Sequence, residues 1–248
     1  MSGQSIAIIL GRRDSSGFPG KNTMSVLGHP LMWYALMAAR DSKFISQTFV
    51  TTDDPAIKEI ALEAGATVID RPPELCTDDA LFDDALEHGY HEAKNILGAA
   101  PKYVAVLMCN SPMISADLID EGISKLNADD TADSAVTTSI YNMWSPLRAR
   151  KLNESGYLDP FVPFETFGDP ATLSCDRDSQ GDVYYADMGV TVSRSSALEH
   201  MSEGLLPQKW MGQKILPIEN WAGMDIDYAW QIPIAEYWLR EHGVGNVS

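Results

Sequence analysis

The apolar run Ile6-Ala-Ile-Ile-Leu10 ends directly on Gly11. A strand that is apolar at every position, rather than at alternate ones, is buried on both faces, as in a parallel sheet covered by helices on either side. Each further parallel strand must be reached through a crossover, and the sequence supplies them. Pro30 to Arg40 reads as a helix, Thr48-Phe-Val-Thr-Thr52 as a second buried strand ending in Asp53 and Asp54, and Pro55 to Ala64 as an amphipathic helix closed by Gly65. Ala66-Thr-Val-Ile69 is a third strand. A long helix follows Asp79 to about Ile96, then a strand at Tyr103-Val-Ala-Val-Leu-Met108 and a helix from Ala116 to Leu126. These repeated units predict an α/β fold with a doubly wound, mostly parallel, Rossmann-like sheet, whose ligands sit beyond the carboxyl ends of its strands.

The alternation fails between about Tyr141 and Asp187, where prolines and aromatics such as Trp144, Pro160, Phe161, Phe164 and Phe167 lack a helical period. This stretch reads as a small irregular or β-rich insertion, too apolar for a solvated linker. Burial against a second subunit accounts for it, and so does an internal packing layer. Strand pattern resumes at Gly189-Val-Thr-Val192, and a last helix runs from Tyr228 to about Glu241. Residues 1–248 are therefore expected to form one domain, with about 141–187 as an insertion within it.

Eighteen Lys and Arg against 35 Asp and Glu give a net charge of -17, which would repel a nucleic-acid backbone and excludes a general surface for one. No apolar run approaches the roughly 20 residues of a membrane helix. The start, Met1-Ser-Gly-Gln-Ser, has no basic segment of the kind that opens a secretory signal, so a soluble, cytoplasmic protein is expected. Cys76, Cys109 and Cys175 form no CxxC pair and are expected as small buried hydrophobes in a reducing compartment. In so acidic a chain, basic residues that stand close together carry more information than usual.

Such a cluster follows the first strand: Gly11-Arg-Arg-Asp-Ser-Ser-Gly-Phe-Pro-Gly-Lys-Asn22. Glycines let the backbone turn and aim amide groups at an anion, while Arg12, Arg13 and Lys21 bring positive charge to the same place. The combination suits a triphosphate. Neither the GxxxxGK[ST] order nor GxGxxG is present, which argues against P-loop hydrolases and nicotinamide oxidoreductases. A basic loop that only solubilises the strand end is the competing explanation.

The loop resembles the signature A-R-x-x-S-K-G-x-P-x-K-N of the acylneuraminate cytidylyltransferase family. Arg12, Ser15, Gly17, Pro19, Lys21 and Asn22 fall in register, whereas Gly11 stands where alanine is usual and Ser16 where lysine is usual. Val50-Thr-Thr-Asp-Asp54 is similar to the family's V-S-T-D-D, and Arg71-Pro-Pro-Glu-Leu-Cys-Thr-Asp-Asp-Ala80 to its R-P-x-E-L-A-x-D-x-A. The resemblance implies CTP as the nucleotide, held by Leu10, Gly11, Arg12, Arg13, Ser15, Lys21, Asn22, Arg71, Ala80 and Ser111, with Arg71 and the backbone near Ala80 on the base. An ion pair of Arg71 with Glu74 or Asp78 is the plain alternative.

Gly223-Met-Asp-Ile-Asp-Tyr228 places Asp225 and Asp227 two residues apart, so in an extended segment both carboxylates face one way and can reach one hard cation. A D-x-D in so acidic a chain is also what a solvated turn looks like. The segment resembles the family's D-I-D-x-x-x-D-x-x-x-A-E, with Gln231 in place of the third aspartate, and the resemblance implies Mg2+ on Asp225 and Asp227. Arg12 and Lys21 would then stabilise the leaving pyrophosphate, which completes the expected catalytic set.

The acceptor half departs from the family. Its L-Q-P-T-S-P-L-R appears as Leu107-Met-Cys-Asn-Ser-Pro-Met-Ile114, and its N-G-A-I-Y as Met188-Gly-Val-Thr-Val192. A pocket that exchanges several polar groups has a different ligand. The resemblance places the acceptor near Met108, Asn110, Arg148, Arg177, Met188 and Gly189, with the arginine forks on a carboxylate. Pairing of Arg148 with Glu154, and of Arg177 with Asp176 or Asp178, is the alternative. The function expected is transfer of CMP from CTP to an acidic sugar of the 2-keto-3-deoxy type for a surface glycan, by a homodimer. A phosphonate or other anionic acceptor, and a catalytically silent nucleotide binder, are the other readings.

Overall fold

The computed structural model describes residues 3–13 and 17–242. In chain order the elements are β1 (Ser5–Leu10), β2 (Ser25–Val26), β3 (His29–Pro30), α1 (Trp33–Asp41), β4 (Ile45–Thr52), α2 (Pro55–Glu63), β5 (Thr67–Asp70), α3 (Phe82–Leu97) and β6 (Tyr103–Met108). They continue with α4 (Ala116–Ala128), β7 (Ser134–Ile140), β8 (Arg150–Leu152), β9 (Leu158–Pro160), β10 (Tyr184–Arg194), α5 (Ser195–Glu199), β11 (Ile215–Glu219) and α6 (Ile232–His242).

Among the described residues seven strands form one sheet in the order β11-β7-β10-β6-β1-β4-β5. β1 pairs in parallel with β4 and β6, β4 with β5, and β7 with β11, while β10 runs antiparallel to both β6 and β7. The sheet is thus mostly parallel, as the continuous apolar strands predict. Every residue of β1 is buried. Ala7 and Ile9 enter one apolar layer with Ala35, Ile57, Ile119 and Ile123, and Ile6, Ile8 and Leu10 enter the opposite layer with Phe49, Leu86 and Tyr90. Full burial of each such aliphatic side chain stabilises by about 1.5–3 kcal/mol, which is why Ile6 to Leu10 is apolar throughout.

The chain leaves β1 toward β4 and β5 on one side and returns past it to β6 on the other. A crevice lies beyond the paired carboxyl ends of β1 and β6, the edge at which open α/β sheets bind ligands. A third apolar group completes its rim: Val26, Leu31, Tyr34, Met113, Ile226, Ala235, Trp238 and Leu239 pack α6 against the loop that follows β1.

The segment 141–187 is irregular, as its sequence predicts, with 3-10 turns around the small antiparallel hairpin β8–β9. It is not an internal packing layer. Leu152 and Tyr157 are each 72% exposed, and Leu158 and Phe161 are exposed as well. The cysteines also differ from expectation: Cys109 is buried, Cys76 half-buried and Cys175 exposed. No helix among the described residues is long and apolar enough to cross a membrane.

Candidate active site

A cavity of about 270 Å³ opens in the crevice beyond β1 and β6. Leu10, Gly11, Arg12, Lys21, Asn22, Arg71, Ala80, Met108 and Asn110 line it, all of them expected site residues from five separate stretches of sequence. The sheet brings them together because β1, β5 and β6 end on the same edge, so Leu10, Arg71 and Met108 sit at the tips of neighbouring strands or just past them. Leu75, Thr77, Leu81, Phe82 and Ala85 complete the wall and were not foreseen. Four of these are apolar and give the cavity an apolar wall on the side of Arg71's loop, a surface suited to an aromatic ring.

Three cations face this cavity, each held in a different way. The Arg71 guanidinium is buried, donating to the Thr51 carbonyl at 2.8 Å and reaching the Thr51 hydroxyl at 3.4 Å. Burial pulls its pKa below the usual arginine value, partly opposed by Cys76 and Asp53. It forms no ion pair with Glu74 or Asp78, so the plain alternative for Arg71 does not hold. Arg12 instead reaches that loop, donating to the Thr77 carbonyl at 2.8 Å and to the Asp78 carboxylate at 2.7 Å. Lys21 meets Asp227 at 2.5 Å, with Asn22 beside it donating to the Arg12 carbonyl at 3.3 Å. Arg13 is exposed, and its backbone N–H donates to Asp53 at 2.9 Å. Ser15 lies outside the described residues, as does Ser16.

Asp225 and Asp227 flank Ile226, whose side chain is fully buried in the third apolar group and whose N–H donates to the Asn110 carbonyl at 2.9 Å. Burying the middle residue turns its two neighbours to the opposite side, toward the crevice. The Ser111 hydroxyl donates to Asp225, and the Asn110 side chain reaches Asp227 at 3.4 Å. Asp225 keeps some surface, yet its carboxyl is packed round by protein. That burial, opposed by the Ser111 hydroxyl and reinforced by Asp227, pushes its pKa up to about 6.

A divalent cation would offset the crowding of the desolvated Asp225 carboxylate by Asp227, so the donor set fits one. Among the described residues no group of three or more His, Cys, Asp and Glu converges as a metal cage. Two carboxylates with open positions are the pattern of Mg2+, which keeps waters and takes substrate oxygens.

Sequence reading missed Asp187, which lies in β10 where the pairing with β7 shifts register and Met188 adopts a φ of 57°. Its carboxylate is buried and accepts from the Thr137 hydroxyl, from Gly189 N–H at 2.9 Å and from Asn220 at 3.3 Å. Burial raises its pKa despite these donors. A side chain at Gly223 would collide with this carboxylate, so a glycine there lets the segment bearing Asp225 and Asp227 close over β10. No motif marks Asp187; the signal available was a lone acid in an apolar strand.

The remaining expected acceptor residues do not join the cavity. Met188 packs against the apolar layer of Leu10 and Val106. Arg148 donates to the Cys175 carbonyl at 2.6 Å rather than pairing with Glu154, and borders a separate hollow with Arg150, Phe164 and Leu173. Arg177 pairs with Asp178 at 3.1 Å, the alternative raised for it from sequence.

Compared with known proteins, the chain matches the family model described as cytidylyltransferase over residues 6–206. It is 39% identical to an N-acylneuraminate cytidylyltransferase of Streptococcus agalactiae serotype V over 154 residues, which are 61% of this chain and 36% of that protein. Against the N-acylneuraminate cytidylyltransferase of Oncorhynchus mykiss it is 25% identical, covering 96% of this chain and 50% of the relative. The chain thus spans half or less of the length of these curated relatives. A solved structure of CMP:2-keto-3-deoxy-manno-octonic acid synthetase complexed with CTP superposes with a TM-score of 0.67 at 16% identity, covering 96% of this chain and 99% of that one. A 4-diphosphocytidyl-2C-methyl-D-erythritol synthase from Anaerococcus prevotii gives 0.61 at 16% identity, with coverage of 96% and 99%. At such identities the likeness is one of fold.

Proposed function

The chain belongs to the cytidylyltransferase family, and from that premise we propose that it transfers CMP from CTP to an acidic sugar of the 2-keto-3-deoxy type, releasing pyrophosphate. The observation that carries this reading is the convergence of Gly11, Arg12, Lys21, Asn22, Arg71 and Ala80 on one cavity, with Asp227 joined to it through Lys21. Relatives named for N-acylneuraminate and 2-keto-3-deoxy-manno-octonic acid support a sugar acid as the acceptor class.

The base lies in the part of the cavity lined by Arg71 and the apolar Leu75–Phe82 wall, and the phosphates extend toward Arg12 and Lys21. An acceptor hydroxyl attacks the α-phosphorus in line. Its oxygen forms the new P–O bond, the bond between the α-phosphorus and the bridging oxygen breaks, and the hydroxyl proton passes to solvent. Arg12 and Lys21 offset the charge gathering on the departing pyrophosphate. Asp225 and Asp227 would hold Mg2+, which supplies charge neutralisation at the phosphate oxygens. Lys21 orients Asp227, and Ser111 orients Asp225.

The exposed apolar residues of 141–187 are the surface on which we place a homodimer contact. We place Arg148 and Arg177, which do not line the cavity of their own chain, on a second copy's acceptor.

The test is incubation with each nucleoside triphosphate, Mg2+ and a panel of sugar acids and phosphonates, following pyrophosphate and product mass. Product with CTP and a sugar acid is expected. CTP binding without pyrophosphate from any acceptor would identify a silent binder, and preference for UTP or ATP would overturn the cytosine assignment.

A further inference from the structure

Gln231 lies in the short 3-10 turn Ala229–Gln231 that leads into α6, four residues after Asp227. Its side-chain oxygen accepts two backbone N–H groups at once, from Asp227 at 2.7 Å and from Tyr228 at 2.8 Å. Its own N–H donates to the Tyr228 carbonyl at 3.0 Å, closing the turn. A Gln or Glu at the third position of a helical start commonly reaches back in this way to satisfy donors that the helix leaves open. Here one of the two donors is the backbone N–H of Asp227, the residue that bears the outer carboxylate.

The segment is thereby gripped from two directions. Ile226 is tied by its N–H to Asn110 and by its buried side chain to α6. Asp227 and Tyr228 are tied by Gln231. With both flanking peptides fixed, the Asp227 side chain has few directions left and points to Lys21 and Asn110. The grip is also neutral. An acid in this place would add a third negative charge beside Asp225 and Asp227, whereas the amide leaves two carboxylates facing the Lys21 ammonium.

We propose that Gln231 is a positioning residue for the cation site, fixing the Asp227 carboxylate through its backbone while holding the site to two carboxylates. The proposal rests on the assignment of Mg2+ to Asp225 and Asp227. Outer partners of metal ligands typically change metal affinity by about 10–100-fold when removed, which sets the scale expected.

Three variants of the full chain test it, Gln231→Ala, Gln231→Glu and, as a control on the same turn, Ala229→Ser. Amide hydrogen exchange of Asp227 and Tyr228 is read on the protein alone, Mg2+ binding by titration, and turnover as a function of Mg2+. Gln231→Ala should raise exchange at those two amides at least about ten-fold and weaken Mg2+ binding about ten-fold, with turnover at saturating Mg2+ changing less. Gln231→Glu should keep the amides protected and tighten Mg2+ binding, and Ala229→Ser should match the wild type. Mg2+ binding by the wild type with unchanged affinity and exchange in Gln231→Ala overturns the positioning role alone. Loss in Gln231→Glu equal to that in Gln231→Ala also overturns it, because the oxygen is then not the working group. A wild type that binds no Mg2+ overturns the cation assignment, and the proposal with it.

Discussion

The Lys21 ammonium lies 2.5 Å from the Asp227 carboxylate, joining the loop after β1 to a segment 206 residues further along the chain. The two partners differ in environment: the Lys21 side chain is 10% exposed and that of Asp227 54%. Removing the carboxylate leaves a nearly buried ammonium without its counter-charge, which destabilises by about 1–3 kcal/mol. For a chain of this size that lowers the melting temperature by several degrees, at about 2–4 °C per kcal/mol. Asp227→Ala is therefore expected to remain folded by circular dichroism, melt modestly lower and lose most CTP-dependent pyrophosphate release. A variant with undiminished turnover would refute the role given to Asp227.

The parts of this molecule that could be read in its sequence are those fixed by hydropathy and local chemistry. β6 occupies Tyr103–Met108 as its unbroken apolar run predicts, and α2 begins at Pro55 behind Asp54, whose side chain accepts from Ala56 N–H at 2.8 Å. β7 escaped notice because Ser134-Ala-Val-Thr-Thr-Ser-Ile140 is polar in composition, though all but Ile140 is buried. Its hydroxyls are satisfied by distant backbone, Ser134 by Met211 and Ser139 by Asn220, both at 2.6 Å. A buried polar strand of this kind is affordable only when tertiary partners exist, and those lie some 80 residues away. The same reason hides Asp187, whose partners Thr137 and Asn220 are set by how β10 meets β7 and the last segment.

Asp187 makes stability depend on pH in a defined direction. Its folded-state pKa is raised by burial above the unfolded value, which is about 3.9. Its contribution is therefore fully present below that unfolded value and is lost as pH rises through the folded pKa. Asp187→Asn cannot ionise. Measured as urea midpoints from pH 4 toward 7, the wild type should lose stability relative to Asp187→Asn as pH increases. A difference that stays constant over that range would show that Asp187 does not titrate with folding.

Gly11 and Cys109 occupy shared space at the ends of β1 and β6. A methyl group on Gly11 would fall 2.5 Å from the Cys109 sulfur and 3.0 Å from Ile57, where backbone pairing leaves little room for retreat. The sulfur thus fills the volume that an alanine in the loop would take, which accounts for glycine at a position where the resemblance leads one to expect alanine. Overpacking of this kind costs about 1–3 kcal/mol, so Gly11→Ala alone should lower the urea midpoint and loosen the cavity wall beside it. Cys109→Ala alone should also destabilise, by leaving a small void. The double variant exchanges the two volumes and should recover most of the loss, giving an interaction energy of about 1 kcal/mol or more in a double-mutant cycle. Because burial raises the Cys109 pKa to about 12, the thiol takes no part in this as an ion, and the coupling should be the same at pH 6 and pH 8. Strict additivity of the two substitutions would mean that the neighbouring chain, not the cysteine, decides what fits at position 11.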